Sequence, residues 1–197
     1  MLEPPEIEKH HHKTGHSVFD FILGGLAVFL SMVSIFIAVH HGQTMEKLVE
    51  ANSWPNLNYY SGNLSEDETH PEIRLALRNT GVGPARIDTL ELFYKDKPYA
   101  TPKDFLTACC GKGPFEDIID QASGMVLPAR ESITFLRLLQ EKDDAAAWDA
   151  LNKERFSVRV RACYCSVFDE CWVMDSKQRR PERVRECEPS QPVQYRY

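Results

Sequence analysis

Between Phe21 and Val39 the chain carries no charged residue, and this run constrains the fold more than any motif in it. Extended to Val18, it reads VFDFILGGLAVFLSMVSIFIAV and covers as a helix about 30 Å, the thickness of a bilayer's hydrocarbon layer. A small domain has no interior able to enclose so long a rod that is apolar on every side, so the run predicts a membrane span rather than a core helix. Asp20 falls in its first turn, within reach of the headgroups and beside the positive end of the helix dipole. A cleaved signal peptide needs a short apolar region after a positive leader and a small-x-small cleavage site. Here the leader is acidic and His-rich and the run closes on Ala38-Val39-His40, which predicts a retained anchor.

The rest of the chain belongs to a different solvent regime. With 197 residues, 43% hydrophobic and 26% charged, it has room for the anchor and about one water-soluble domain. A net charge of −6 argues against nucleic acid as a partner, because displacing counterions from phosphates needs a dominant basic face. The expected organisation is a disordered cytoplasmic leader at 1–17, a transmembrane helix at 18–40, a helical stalk at 41–53 and a folded domain at 54–197. The stalk follows from Met45, Leu48 and Val49 at helical spacing, and Ser53-Trp54-Pro55 ends it, since proline disfavours helix in the residue before it. Lys9 and Lys13 before the span, against Lys47 after it, favour a cytoplasmic amino terminus. All six cysteines lie after the span, the pattern of a small cross-linked domain outside the cytoplasm.

Beyond Trp54 the hydrophobic period changes to two. Strands are predicted at Leu57–Tyr60, Glu72–Arg78 with Ile73, Leu75 and Leu77 inward, Ile87–Tyr94, Ser132–Leu139, Phe156–Tyr164 and Trp172–Met174. In the fifth, Phe156, Val158, Val160, Ala162 and Tyr164 are expected in the core, with Arg159, Arg161, Cys163 and Cys165 outward. Short helices are predicted at Pro102–Ala108 and at Asp144–Lys153, the latter capped by Asp143. This pattern predicts a mainly-β domain, an immunoglobulin-like β-sandwich with one or two helical insertions.

Three stretches carry a resemblance: Ala51-Asn52-Ser53-Trp54-Pro55, Asn79-Thr80-Gly81-Val82-Gly83-Pro84-Ala85, and Tyr164-Cys165-Ser166 followed by Trp172. On these the chain resembles a loose group of uncharacterised bacterial single-pass membrane proteins in which a helix leads through a Trp-Pro pair into a small β domain. The resemblance implies the fold and a place in the bacterial envelope, which with the orientation favoured by the lysines and cysteines is the inner membrane with the domain in the periplasm. It implies no activity. Physically, Asn79, Gly81, Gly83 and Pro84 read as a shaped structural turn, with glycines accepting backbone angles other residues resist and proline fixing another. No helix start or lysine follows to make it a phosphate loop.

The search for chemistry turns on histidine. Six of the seven lie in the leader or at the membrane edge, including His10, His11, His12 and His16, which are able to chelate a metal but, as consecutive histidines in a disordered leader, are expected to do nothing specific. Only His70 belongs to the domain, in a polar acidic loop where no fixed partner is evident. Consecutive Glu66, Asp67 and Glu68 in that loop lack the alternation of a calcium site and read as solvated. No metal, cofactor or catalytic residue is therefore expected. The cysteine gaps fit neither zinc pairs nor C-x-x-C, so structural disulfides are expected. Cys165 and Cys171 flank a hairpin-sized turn and form the preferred pair, which leaves Cys163 to Cys187, with Cys109 or Cys110 behind it. Lys177–Arg185 reads as a solvated basic hairpin.

Small residues at Gly24, Ala27, Ser31, Ser34 and Ala38 fall along one helix seam and predict a weak homodimer through the anchor. The expected function is that of a membrane-anchored, non-enzymatic interaction or accessory module of the envelope. Its partners are then the bilayer, through 18–40, and an envelope protein. An envelope hydrolase with an unrecognised carboxylate site is the alternative.

Overall fold

The computed structural model describes residues 17–65, 67, 69–111, 121–140 and 145–188. The chain divides into two compact units, Met1–Leu48 and Val49–Tyr197. Helix α1 (Ser17–Asn52) supplies the described part of the first and the opening residues of the second. It runs for 36 residues without a break, in a stretch free of proline, so that no backbone donor is lost along it. Every residue from Val18 to Asn52 is exposed, and the helix is long and apolar enough to cross a membrane.

The second unit is built mostly of β-strands: β1 (Leu57–Leu64), β2 (Pro71–Asn79), β3 (Ala85–Tyr94), β4 (Lys97–Tyr99), β5 (Met125–Leu127), β6 (Ser132–Leu139), β7 (Val158–Cys165), β8 (Cys171–Asp175) and β9 (Glu182–Val184). Two helices, α2 (Pro102–Cys110) and α3 (Ala145–Glu154), interrupt them. All pairing is antiparallel. The first sheet has the order β1-β2-β6, and the second runs β4-β3-β7-β8-β9 with β5 also on β3.

Local chemistry explains the corners. Lys95 and Asp96, both at positive φ, make the two-residue turn from β3 to β4. Thr101 caps α2 by accepting from the Asp104 backbone N–H at 3.1 Å, and Pro102 occupies the first helical turn. Between β7 and β8 the Ser166 hydroxyl accepts from the backbone of Phe168 and Glu170, and Asp169 takes a positive φ.

Inward residues of both sheets make one core. Leu57, Ile73, Leu75 and Leu77 come from the first sheet, Ile87, Leu90, Leu92, Val160 and Tyr164 from the second, and Phe105, Leu106, Trp148 and Leu151 from the helices. Each strand predicted from the period of two is present, and α2 and α3 form where helices were expected. Asp143, the expected cap of α3, lies outside the described residues.

Three inward-outward assignments need correction. Phe156 is 78% exposed, because Arg155–Ser157 forms a 3-10 turn and β7 begins only at Val158. Cys163 and Cys165 do stand opposite the core face, but they are buried, at 3% and 1% exposure, since cross-linked chain covers them. Gly81 and Gly83 take no positive φ; their lack of a side chain serves close approach instead.

Candidate functional site

That close approach builds the junction after α1. A Cβ on Gly83 would sit 2.0 Å from the Ser53 carbonyl oxygen, and one on Gly81 would sit 2.5 Å from the Trp54 oxygen and the Asn56 nitrogen. Val82 and Gly83 N–H donate to the Trp54 carbonyl, and Thr80 N–H donates to that of Asn56. Asn79, fully buried at the end of β2, holds the assembly together. Its side-chain amide donates to the carbonyls of Gly83, Leu127 and Pro128, while its oxygen accepts from the backbone of Asn56 and Gly81. Every polar atom of the amide is engaged within the protein, so this turn is a structural clamp rather than a ligand loop.

The clamp also positions a surface feature. The Arg130 N–H donates to the Asn79 carbonyl at 2.9 Å, which fixes the left-handed residue that starts the approach to β6. Arg130 then lines a groove of about 810 Å³ on the outer face of the first sheet. Gly62, without a side chain, and the small Ala76 and Thr134 leave room along it, with Arg74, Arg78, Arg130 and Arg155 among the groups around them and Glu131 as the acid among the lining residues. Arg74 and Arg78 are there because β2 alternates: Ile73, Leu75 and Leu77 enter the core and the intervening residues face out. Arg155, from the turn after α3, is fixed by donating to the Ser61 carbonyl at 3.1 Å and lies over the Phe156 ring. A bulge between β2 and β6, where Leu75 pairs Leu136 but Ala76 pairs Thr134, shifts register beside the groove.

At one end of β2 the arginines meet a second polar cluster. The Glu72 carboxylate, 4% exposed as a residue, lies 3.6 Å from Arg74 Nε and 3.3 Å from His70 Nε2. The other ring nitrogen of His70 is 3.1 Å from the Thr69 hydroxyl. His70 therefore has a fixed neighbour on each side, contrary to the expectation from its loop. Asp67 accepts from the Ser65 and Thr69 groups, and those bonds hold its carboxyl at about 2. Glu66 and Glu68 lie outside the described residues.

The cysteines gather at the opposite sheet. Cys165 pairs in register with Cys171 across β7 and β8, with Cα atoms 4.0 Å apart, and Cys163 meets Cys187 beyond β9 at 5.5 Å. Both pairs have their sulfurs at disulfide distance, and the adjacent Cys109 and Cys110 bring their sulfurs together at the end of α2. Tyr164 lies in the core, stacked on Trp172, and burial pushes its phenol up to about 12. The basic stretch Lys177–Arg185 covers the turn into β9 and that strand, and its charges are partly met by acids: Lys177 pairs with Asp96 and Arg183 with Glu170.

In α1, Gly24 has open space around it, and the Ser31 and Ser34 hydroxyls donate to carbonyls one turn back, of Ala27 and Leu30. Those donors are thus already satisfied in the single helix. Ala38 is exposed on the same helix.

Sequence reasoning missed the groove. The alternation in β2 could have exposed Arg74 and Arg78, but Arg130 and Arg155 join them from distant loops. Compared with known protein families, curated proteins and solved structures, the chain matches none.

Proposed function

We propose that the chain is a single-pass, membrane-anchored, non-enzymatic interaction module of the bacterial inner membrane, with a periplasmic immunoglobulin-like domain whose arginine groove docks an anionic face of an envelope protein. The groove carries this reading: Arg74, Arg78, Arg130 and Arg155 converge on one outer sheet face in a chain of net charge −6, and a planar guanidinium suits carboxylates. The immunoglobulin-like assignment rests on strand order. With β1, β2 and β6 standing as strands A, B and E, and β3, β7 and β8 as C, F and G, neighbours match that sandwich. The cross-links depart from the antibody pattern, staying within one sheet instead of bridging two. The lysine asymmetry and the one-sided cysteines support the orientation, and the small-residue seam supports a weak homodimer. Replacing Gly24 and Ser31 with leucine should lower association in a membrane two-hybrid assay.

The test is cross-linking of the full chain in native membranes followed by mass spectrometry, with wild type beside the Arg78→Glu, Arg130→Glu double variant. Capture of a specific envelope protein by wild type, and its loss in the variant, is the expected result. Equal capture by both overturns the groove as the docking face. A reporter active only outside the cytoplasm, fused after Tyr197, should be active; signal from a cytoplasmic reporter reverses the orientation.

An envelope hydrolase remains the second reading because of one arrangement, Thr69, His70 and Glu72 in line at 3.1 and 3.3 Å. If it is catalytic, His70→Ala abolishes function while leaving the urea unfolding curve unchanged. On the binding reading the variant keeps its partner.

A further inference from the structure

The cysteine cluster holds an arrangement that two independent staples do not need. The Cys165 sulfur is bonded to Cys171, yet it also lies 3.7 Å from the sulfur of Cys187, which is bonded to Cys163. The sulfurs of Cys165, Cys171 and Cys187 all fall within 4.8 Å of one another. Two sulfurs in van der Waals contact, one of them in a disulfide, are the starting geometry for thiol–disulfide exchange once the other becomes a thiolate. Access is graded too. Cys163, Cys165 and Cys171 are buried, at 3%, 1% and 5% exposure, while Cys187 is half-buried at the edge of the fold.

We propose that these four cysteines form one exchange-coupled site, in which an external dithiol enters at Cys187 and its reducing equivalents pass on to the Cys165–Cys171 pair. In the first step a thiolate of the dithiol attacks the Cys187 sulfur. The Cys163–Cys187 bond breaks, and Cys163 leaves as a thiolate and takes a proton from water. The second thiol of the reagent, losing its proton to water, resolves the mixed disulfide, so that the reagent departs as its own disulfide and Cys187 is left as a thiolate. Two electrons have then entered the protein. In the second step the Cys187 thiolate attacks the Cys165 sulfur, forming Cys165–Cys187 and breaking Cys165–Cys171. Cys171 leaves as a thiolate and is protonated; this step is electron-neutral and moves the disulfide.

The surroundings favour that direction of cleavage. An Asp88 carboxylate oxygen lies 3.3 Å from the Cys165 sulfur, so negative charge would be disfavoured on Cys165, and in this path it develops on Cys171 instead. Arg86 pairs with Asp88 at 3.1 Å and with Asp169 at 2.9 Å, which holds the Asp88 carboxylate beside the cluster. The proposal is independent of the groove.

The full chain in detergent tests it. In a Cys163→Ala variant, Cys187 is a permanent thiol beside an intact Cys165–Cys171 bond. After incubation at pH 8, acid quench and alkylation, non-reducing peptide mapping should find a Cys165–Cys187 linkage. Cys171 should be alkylated at least about tenfold faster than in the Cys163→Ala, Cys187→Ala double variant, which lacks the attacking sulfur. If Cys187 is alkylated throughout, with Cys165–Cys171 the only linkage among Cys165, Cys171 and Cys187 and no difference in Cys171 rate, the proposal is overturned. Wild type gives an answer that does not depend on the variants folding. With one equivalent of dithiothreitol, the trapped species that keep a single disulfide among Cys163, Cys165, Cys171 and Cys187 should include Cys165–Cys187. Finding only Cys165–Cys171 or Cys163–Cys187 overturns it equally.

Discussion

Strands β2 and β7 obey the same alternation and end in opposite circumstances. Of the outward residues of β2, Arg74 turns to Glu72 and is largely covered, while Arg78 stands exposed in a basic groove. The outward residues of β7 are paired or covered: Arg159 pairs with Asp175, Arg161 with Glu91, and Cys163 and Cys165 are covered by Cys187 and Cys171. The period of two decides which side chains leave the core, but not whether water reaches them. What covers β7 is its sheet neighbours β3 and β8 together with the chain beyond β9, whereas at the Arg78 end of β2 the outer face carries Ser132 and Thr134 of β6 and stays open to the groove.

The largest effect should come from breaking the element that ties the two sheets together. Asn79 ends β2, yet it bonds the Gly83 carbonyl ahead of β3 and the Leu127 carbonyl of β5. Truncation by Asn79→Ala strands several buried carbonyls and N–H groups, and we expect a loss of about 4 kcal/mol in urea unfolding. A variant within 1 kcal/mol of wild type would mean water replaces the amide there.

Next in size is the covered sheet. Cys187→Ser opens a cross-link of sequence separation 24 and should cost about 3 kcal/mol by the loop-entropy relation, without altering partner capture at the groove. A concurrent loss of capture would show that the two outer faces are coupled.

Ion pairing on the same face is worth less. Burial opposes the charge on Asp175, but its bonds from Arg159 and the Lys177 backbone, with the charge of Arg161, outweigh it and hold the carboxyl below its usual range. A depressed carboxyl stabilises the fold above its unfolded value, near 4, and that contribution disappears as pH falls through the folded value. Asp175→Asn should therefore cost about 1 kcal/mol at pH 7, discounted for the partial exposure of Arg159, and progressively less below about pH 4. Urea curves of both proteins across that range check the sign.

The smallest stability effect belongs to the groove itself. Arg78→Glu with Arg130→Glu should move unfolding by no more than about 0.5 kcal/mol, because the substituted guanidiniums lie on an outer face. A large shift would make the arginines part of the scaffold rather than a surface available to a partner.

The local features were legible in the residues because each is set over a few positions. An uncharged run of bilayer length specifies the helix that begins at Ser17, alternation specifies β2, β3, β6 and β7, and Thr101-Pro102 specifies the start of α2. Phe156 shows where that logic stops: the alternation continues through it, but the chain leaving α3 spends one more turn as 3-10 helix before β7 can pair with β3. Asn79, Gly81 and Gly83 were visible as a motif, while their reason was not. A glycine needed for backbone approach looks the same in sequence as one needed for a positive φ, and only the position of Ser53–Asn56 distinguishes them.

The sequence by itself determined a long apolar helix followed by a strand-rich, cysteine-bearing domain, because hydrophobic period and chain chemistry act between near neighbours. The tertiary structure alone decided that Arg130 and Arg155 join Arg74 and Arg78, that Glu72 stands between His70 and Arg74, and that Cys187 touches Cys165. Those contacts join loops and strands through the order of two sheets, and their free energies depend on distances that spacing along a chain does not encode.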